Sequence, residues 1–359
     1  MLSRTRIALA ALLATALLAG TAQAALTDGM KKGTPELKSI GPLAFGPEGI
    51  LFVGDPQSAT IFAIDTGDVK ADSNDALNIK GIDEKIAGML GTEAKQIMIN
   101  SLTVNPASGR AYLAVSRGRG ANATSVILRA DRKGDLQEFA LKDVMFSQTM
   151  LPNAAEGRGR QEAITSLAHY KDKLFVAGLS NEEFASRFRA IPFPFADADK
   201  GTTVEIFHGS HGRFETNAPI RTFVPFDIKG EAHLLAAYTC TPLVKVSISD
   251  LKPGQRVKGT TVAELGNRNR PLDMIVYQKG GKDYILMANS SRGLMKITTD
   301  NIDKVEAITE RVSDKAGLTY ETIADLKGVQ HLAKLDKDRA LVLVRAEKGA
   351  MSLDTIDLP

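Results

Sequence analysis

The sequence predicts an all-β fold: a single six-bladed β-propeller, closed by an N-terminal strand and carrying loop and short-helix insertions on one face. Three observations lead to this prediction. A strand-rich unit recurs six times, its strands are rich in β-branched and aromatic residues, and the chain starts and ends part-way through a unit. Antiparallel sheets in tandem must protect their edges, and radial closure does so. Two stacked β domains are the competing arrangement.

Each unit begins with an apolar strand, a polar or glycine-containing turn and a second, alternating strand. These strand pairs are predicted at 41–55, 101–118, 166–180, 221–249, 271–293 and 331–349. A third strand is predicted at 60–65, 124–131, 294–299 and 351–358, and a fourth at 136–141, 260–266 and 305–310. The last unit lacks a fourth strand, and we expect the segment PELKSIG (35–41) to supply it and seal the ring.

The segment VNPASGRAYLAV (104–115) resembles the strand-turn-strand repeat of the YVTN and NHL classes of β-propeller. As an architecture, the resemblance extends over most of the chain. It implies the fold and little about chemistry, because propellers of one architecture serve many functions.

The N-terminus has the pattern of a secretory signal peptide. Two arginines precede the apolar run 7–19, and Ala22-Gln23-Ala24 has the small-x-small form of a cleavage site. We therefore expect residues 1–24 to be a signal peptide, 25–359 to be the propeller, and the protein to be periplasmic or secreted. No later stretch is long and apolar enough for membrane insertion. The single cysteine, Cys240, allows no internal disulfide.

The charge balance argues against nucleic acid as the main partner. The whole chain has 45 Lys and Arg against 42 Asp and Glu, a net charge of +3. Residues 1–24 hold two arginines and no acidic residue, so their removal lowers the net charge to +1. Nucleic-acid-binding proteins usually carry a much stronger positive field.

Long connections concentrate at one predicted end of the ring. They comprise 82–98, with a short helix expected at 83–90, then 142–160, 181–200 and 312–328, with a second helix expected at 320–326. Connections of this length are often functional. The opposite end has mostly short turns, so we expect the functional site at the end with the long connections.

Arginines recur at that end as Arg-x-Arg pairs. The candidates for binding an anion are Arg117, Arg119, Arg158, Arg160, Arg187, Arg189, Arg268, Arg270 and Arg292. Paired guanidinium groups can bind a carboxylate or phosphate bidentately, and clustering would create a local positive field. The predicted partners are an anionic small molecule or an acidic protein. The alternative is that these arginines pair with Glu156, Glu162, Glu182, Glu183 or Glu347 and only hold loops together.

Polar residues are also predicted around one mouth of the central channel. Those of the metal-binding type are Asn100, Glu162, Asp273 and Asn289. The gluconolactonase and paraoxonase class of six-bladed propellers is similar in using such residues to hold a divalent cation, which implies calcium or magnesium and a lactonase-type hydrolase. The order and local motifs differ from that class. Polar side chains that only bind channel water are the alternative.

Cys240 and His331 are predicted near the same mouth and join Asn289 among the candidate ligand-binding residues. A thiol beside an imidazole could bind copper or respond to oxidation, although a single cysteine is more often a small, partly buried residue. The motif His208-Gly-Ser-His211 is expected in a surface loop at the opposite end.

Several chemistries are excluded by missing motifs. The sequence contains no GxSxG, no GxxxxGK[ST] and no HExxH. It also contains no Trp, which quinone-cofactor propellers usually use at their blade junctions. The preferred function is a periplasmic binding or scaffold propeller for an anionic ligand. A metal-dependent hydrolase and a copper or redox accessory protein are the alternatives, and no catalytic residue is assigned.

Overall fold

The computed structural model describes residues 26–120, 123–240, 242–347 and 349–359. They form six β-sheets arranged as blades around a central channel, which confirms the predicted six-bladed β-propeller. The predicted signal peptide lies outside the described residues. Within the described ranges, no helix has the length and apolar character needed to cross a membrane.

We number the blades by the chain order of the strand that lines the channel. Blade 1 contains β1 (Lys31–Gly33), β2 (Leu43–Phe45), β3 (Ile50–Asp55), β4 (Thr60–Asp65) and β10 (Val144–Met150). Blade 2 contains β6 (Ile97–Val104), β7 (Ala111–Arg117), β8 (Thr124–Ala130) and β9 (Leu136–Glu138). Blade 3 contains β11 (Ser166–Tyr170), β12 (Lys173–Leu179), β13 (Ser186–Pro192), β14 (Thr202–His208), β15 (Arg213–Glu215) and β19 (Arg256–Lys258).

The other three blades follow the same plan. Blade 4 contains β16 (Ile220–Ile228), β17 (Glu231–Tyr238), β18 (Pro242–Ser247), β20 (Thr260–Leu265) and β24 (Lys315–Gly317). Blade 5 contains β21 (Pro271–Lys279), β22 (Lys282–Asn289), β23 (Gly293–Thr298) and β25 (Tyr320–Ile323). Blade 6 contains β26 (Val329–Lys334), β27 (Arg339–Arg345), β28 (Met351–Asp357) and β5 (Ile79–Lys80). Pairing is antiparallel throughout except between β14 and β19.

The order of blades around the ring differs from their order in the chain. The inner strands contact one another in the sequence β2, β11, β16, β21, β26, β6 and back to β2. Blade 2 therefore lies between blade 6 and blade 1. The chain leaves blade 1 after four strands, adds β5 to the outside of blade 6, forms blade 2, and returns as β10, which pairs between β4 and β1 of blade 1. Blades 1 and 6 are thus each completed by a strand from a distant part of the chain, β10 in blade 1 and β5 in blade 6.

The closing strand comes from the N-terminal part of the chain, but the segment differs from the predicted one. Ile79–Lys80 pairs with Ser352 and Leu353 of β28, whereas 35–41 forms no strand. The buried Asp55 carboxylate accepts the N–H groups of Lys38 and Ser39 at 2.7 and 3.0 Å. These bonds hold the segment 35–41 against the end of β3. The N–H groups of Lys38 and Ser39 therefore do not pair with a strand of the last blade.

The predicted short helices have different outcomes. The helix expected at 83–90 is confirmed as α1, Ile82–Met89, with Ile82 and Ile86 buried one turn apart. The helix expected at 320–326 is wrong, because Tyr320–Ile323 is β25 and pairs with β23. The fourth strand expected at 305–310 is also wrong, since β25 occupies that edge. Pairing with a neighbouring strand overrides the local helical pattern at this position.

Short 3-10 helices are found at Pro47–Gly49, Ala94–Gln96, Gly157–Glu162 and Ile248–Asp250.

The hydrophobic core lies between the blades. Each of its six clusters joins two neighbouring sheets, because successive strand residues point to opposite faces. The blade 2 residues Leu113 and Val115 pack with Leu341 and Leu343 of blade 6. On the other face of blade 2, Tyr112 belongs to the cluster shared with blade 1. The apolar packing therefore agrees with the ring order given by the strand contacts.

Replacing Ile79 by Ala should test closure by β5. Ile79 is 1% exposed and packs in the cluster between blades 6 and 2, so we expect the free energy of unfolding to fall by about 2–4 kcal/mol. Urea denaturation measures this loss. The neighbouring Lys80→Ala variant is the control: its side chain is 78% exposed, and we expect a change below about 0.5 kcal/mol. Equal effects of the two variants would contradict closure by this strand.

Candidate functional site

The inner strands of all six blades surround a channel with a volume of about 1340 Å³. In each blade, the strand that lines the channel starts at the same end of the channel at which the next strand of the blade ends. We call this end the channel mouth and define it by seven lining residues: Arg119, Gln161, Glu162, Arg221, Arg270, Gln330 and Arg345.

A shift in strand pairing recurs where the inner strands begin. The register moves by one residue at Asn100 of β6, Arg221 of β16, Leu272 of β21 and Gln330 of β26. An extra residue in one strand of a pair bends the strand and re-aims side chains, and such features are frequent beside functional sites. The repeat therefore places its irregularities around the channel.

An ion pair joins two blades at the mouth. Arg221 donates to Glu162 with a distance of 2.6 Å between Nη1 and Oε1. Its Nε donates to the hydroxyl of Thr239 at 2.8 Å. The Arg221 side chain is 14% exposed, so the pair is partly shielded from water and fixed in orientation.

Arg270 lies next to this pair without a partner for its guanidinium among the described residues. Two hydrogen bonds to Ser290 fix the backbone of Arg270. The Ser290 hydroxyl accepts the Arg270 N–H at 2.9 Å, and the Ser290 N–H donates to the Arg270 carbonyl. The side chain is exposed and lines the channel. Desolvation, and then the charge of Arg221, lower the pKa of Arg270, while Glu162 acts in the opposite direction. Its donors therefore remain available to an anion that enters the mouth.

His331 links three blades just inside the mouth. Its Nδ1 lies 2.8 Å from Oδ2 of Asp273 on blade 5, and its Nε2 lies 3.1 Å from the carbonyl oxygen of Ile99 on blade 2. Burial alone would lower the pKa of His331, but the charge of Asp273 and the hydrogen bonds to Asp273 and Ile99 raise it. Because both ring nitrogens face acceptors, the protonated imidazolium is the form that satisfies this site.

The structure brings together only part of the predicted anion-binding set. Within the described residues, Arg119, Arg270 and His331 line the channel. The members of the set that do not line it are Arg117, Arg158, Arg160, Arg187, Arg189, Arg268, Arg292, Asn289 and Cys240. Arg117, Arg158 and Arg268 are exposed and have no side-chain hydrogen bond or ion pair to the described residues. Arg160 donates to the carbonyls of Gln57 and Ala155, and Arg292 to that of Asn267.

The pair Arg187 and Arg189 lies inside blade 3, away from the channel surface. Arg187 contacts Glu182 and the hydroxyl of Ser180. Arg189 is 0% exposed and donates from Nη2 to the Pro152 carbonyl at 3.0 Å. Burial, and then the charge of Arg187, lower the pKa of Arg189 to about 10. Arg187 thus pairs with one of the glutamates of the structural alternative, whereas Arg189 is buried and donates to a backbone carbonyl.

The four residues of the predicted cation site do not form one cluster of free metal ligands, because each has its own partner in the protein. Glu162 is paired with Arg221, and Asp273 is paired with His331. Asn100 donates to the Ser116 hydroxyl at 2.7 Å. Asn289 is buried and bonded to Asn269 at 2.9 Å, and within the described residues it does not line the channel. The carboxylate oxygens thus already face cationic side chains of the protein.

Cys240 occupies the turn between β17 and β18. Its φ is 61°, and its N–H donates to the Asn269 carbonyl at 2.9 Å. The thiol is free and half-buried. Since both nitrogens of His331 are directed at Asp273 and Ile99, the structure gives no pairing of this thiol with that imidazole.

Two mouth residues, Arg221 and Arg345, were not among the predicted anion-binding residues. Arg221 is the second residue of β16 and occupies the shifted position that Asn100 has in blade 2. Arg345 ends the second strand of blade 6, as Arg117 ends that of blade 2. Aligning the six units at their strand boundaries would have found both.

No family model matches the sequence, and no curated protein matches it either. Similar solved structures include the PQQ-bound aldose sugar dehydrogenase from Streptomyces coelicolor, at 14% identity over 91% of this chain and 96% of that chain, with a TM-score of 0.36. A glucose dehydrogenase has 11% identity over 92% and 99% of the two chains, with a TM-score of 0.36. A streptogramin B lyase has 9% identity over 92% and 97%, with a TM-score of 0.34.

Proposed function

We propose that this protein is an exported binding propeller that takes up a small molecule carrying carboxylate or phosphate groups at the channel mouth. The observation that carries the proposal is the guanidinium of Arg270, which has no partner in the described part of the chain and lies beside the Arg221–Glu162 pair. Guanidinium groups recognise carboxylates and phosphates through directed N–H donors, and partial desolvation strengthens those bonds.

The charges around the mouth support an anion. Arg119, Arg221, Arg270 and Arg345 line this end of the channel, against the carboxylates of Glu162 and Asp273. Both carboxylates are engaged, one by Arg221 and the other by His331. Arg119 and Arg345 each make one hydrogen bond to a backbone carbonyl, so other donors of each remain. The balance of unengaged groups at the mouth is positive.

The concave site favours a small molecule over an acidic protein surface. Arg221 and Arg270 reach the channel at the start of inner strands, where a ligand is enclosed by several blades. The exposed arginines Arg117, Arg158 and Arg268 could still contact an acidic partner, which is the second form of the anion hypothesis. The calcium- or magnesium-dependent hydrolase has less support, because arginine and histidine already occupy the carboxylates that would hold the metal. A copper or redox role at Cys240 also has less support, because both ring nitrogens of His331 are directed at Asp273 and Ile99 and not at the thiol.

Replacing Arg270 by Gln should weaken anion binding about tenfold, because one charge-assisted contact is lost at the mouth. Calorimetric titration with citrate and with glucose 6-phosphate measures the effect. Affinity of the unmodified protein should also fall as salt rises past about 0.15 M, where the screening length is roughly 8 Å.

Lys133→Gln is the matched control, since it removes one positive charge from an exposed turn between β8 and β9 at the opposite end. We expect it to bind the same anions as the unmodified protein does, and glucose to bind neither protein. Equal affinity of the Arg270→Gln variant and the unmodified protein for both anions would contradict the proposal.

A further inference from the structure

A second cluster of ligand-type side chains lies far from the inner strands, at the outer edge of blade 3. His208 ends β14, His211 lies in the turn that follows, and Glu215 ends β15. One potential ligand atom from each of these residues lies within 4.8 Å of the others. The sequence predicted a surface loop at the end opposite the channel mouth for this motif, but His208 is 3% exposed and ends β14, which runs towards the mouth end.

The geometry directs both imidazoles at one carboxylate. Nδ1 of His208 lies 2.9 Å from Oε2 of Glu215, and Nδ1 of His211 lies 2.6 Å from Oε1. The two rings have their centroids 4.0 Å apart. The tight hairpin accounts for the convergence, since His208 pairs with Arg213 across it and the turn between the two strands has only four residues, 209–212.

The hydrogen bonding of His208 is incomplete. Its Nε2 is buried and has no partner among the described residues. A buried polar nitrogen without a partner is unfavourable and calls for an explanation such as an ion or water molecule. This observation is independent of the spacing of the three side chains.

A second carboxylate approaches from the next blade. Oε1 of Glu264, on β20 of blade 4, accepts the Gly209 N–H at 2.6 Å, and the residue is 2% exposed. The turn that carries His211 is therefore held directly against an acidic side chain of its neighbour. A cation at the cluster would face two carboxylates, one from each blade.

We propose that His208, His211 and Glu215 bind a divalent transition-metal ion of the zinc type, with Glu264 bordering the site. Two imidazoles and one carboxylate are a donor set that suits zinc, and three protein ligands leave a further position for water. The ion would hold the β14–β15 hairpin and its turn against blade 4. None of the three residues lines the channel, so the site is separate from the residues of the anion-binding proposal.

Titration of chelator-treated, untagged full-length protein with Zn²⁺ tests the site. We expect one equivalent to bind with a dissociation constant in the micromolar range or tighter, and to raise the melting temperature. His211→Ala and Glu215→Gln should each weaken binding at least tenfold. His211 is the informative position because its side chain is 49% exposed, so its removal is compatible with folding.

Two control variants separate loss of a ligand from local disturbance. Arg213→Ala removes another hydrogen-bond partner of Glu215, 3.1 Å away, but no ligand, and His233→Ala removes a half-buried histidine on blade 4. Both should retain one equivalent of Zn²⁺. Replacing Zn²⁺ by Co²⁺ should give a visible absorption band that is lost in His211→Ala. Unchanged affinity in His211→Ala, or equal loss in Arg213→Ala, would overturn the proposal.

Discussion

Replacing Asp273 by Ala is expected to lower the free energy of unfolding by about 2–4 kcal/mol near neutral pH. The carboxylate Oδ2 accepts from the Leu332 N–H at 3.1 Å and lies 2.8 Å from Nδ1 of His331. Its removal leaves a half-buried imidazolium and a backbone donor without their acceptor. Because His331 also contacts Ile99, the loss weakens the junction of blades 5, 6 and 2. Thermal and urea denaturation measure the change.

The effect of Asp273 should depend on pH in a defined direction. The pKa of His331 is raised above its ordinary value of 6.5: burial opposes the shift, but the charge of Asp273 and the hydrogen bonds outweigh it. A histidine with a raised pKa in the folded state stabilises the fold fully below its unfolded-state pKa, and the contribution is lost as pH rises through the folded-state pKa. The Asp273→Asn variant should therefore lose most stability below about pH 6.5 and less in alkaline solution.

Asp300→Ala is the matched control for this measurement. Asp300 is in blade 5 as well, but its ion pair with Lys282 is exposed, with side-chain exposures of 56% for Lys282 and 50% for Asp300. Such pairs contribute about 0–1 kcal/mol. A pH-independent loss in Asp273→Asn, or an equal loss in the control, would contradict a role for the His331–Asp273 pair.

The strands within a blade were predictable because their pattern is local. Apolar alternation and turn residues locate β6, β7 and β8 within a few residues of their observed bounds. The order of blades was not predictable in the same way, because tandem repeats do not encode which units become neighbours. The closing strand β5 has only two residues, Ile79 and Lys80, which is too short for any periodicity. The longer segment 35–41 directly precedes the first unit, which is why the sequence favours it as the closing strand.

The sequence indicated that arginines would lie at the channel mouth, but it indicated less well which arginines these would be. Arg119 and Arg270 were expected at the mouth, and both line the channel. Arg189 has the same Arg-x-Arg pattern, yet it is 0% exposed within blade 3. Arginine is seldom fully buried, so a sequence pattern favours a surface position for it. Only the packing of β13 against its neighbours distinguishes the two cases.

Replacing Gly178 by Ala is expected to destabilise the protein by about 3 kcal/mol and to disturb the channel mouth as well. A Cβ at Gly178 would lie 2.0 Å from the carbonyl oxygen of Ala163, a backbone atom that no side-chain rotation can move away. Ala163 directly follows the 3-10 helix that carries Glu162, so relief of the overlap must displace the partner of Arg221. Denaturation should show the stability loss, and calorimetry should show altered binding of citrate.

Gly159→Ala, in the 3-10 helix that carries Glu162, is the control, because its Cβ would meet only the Cβ of Ala155 at 3.4 Å, an ordinary contact. Near-equal stability of the two variants would show that β12 and the segment after this helix are not packed as closely as described.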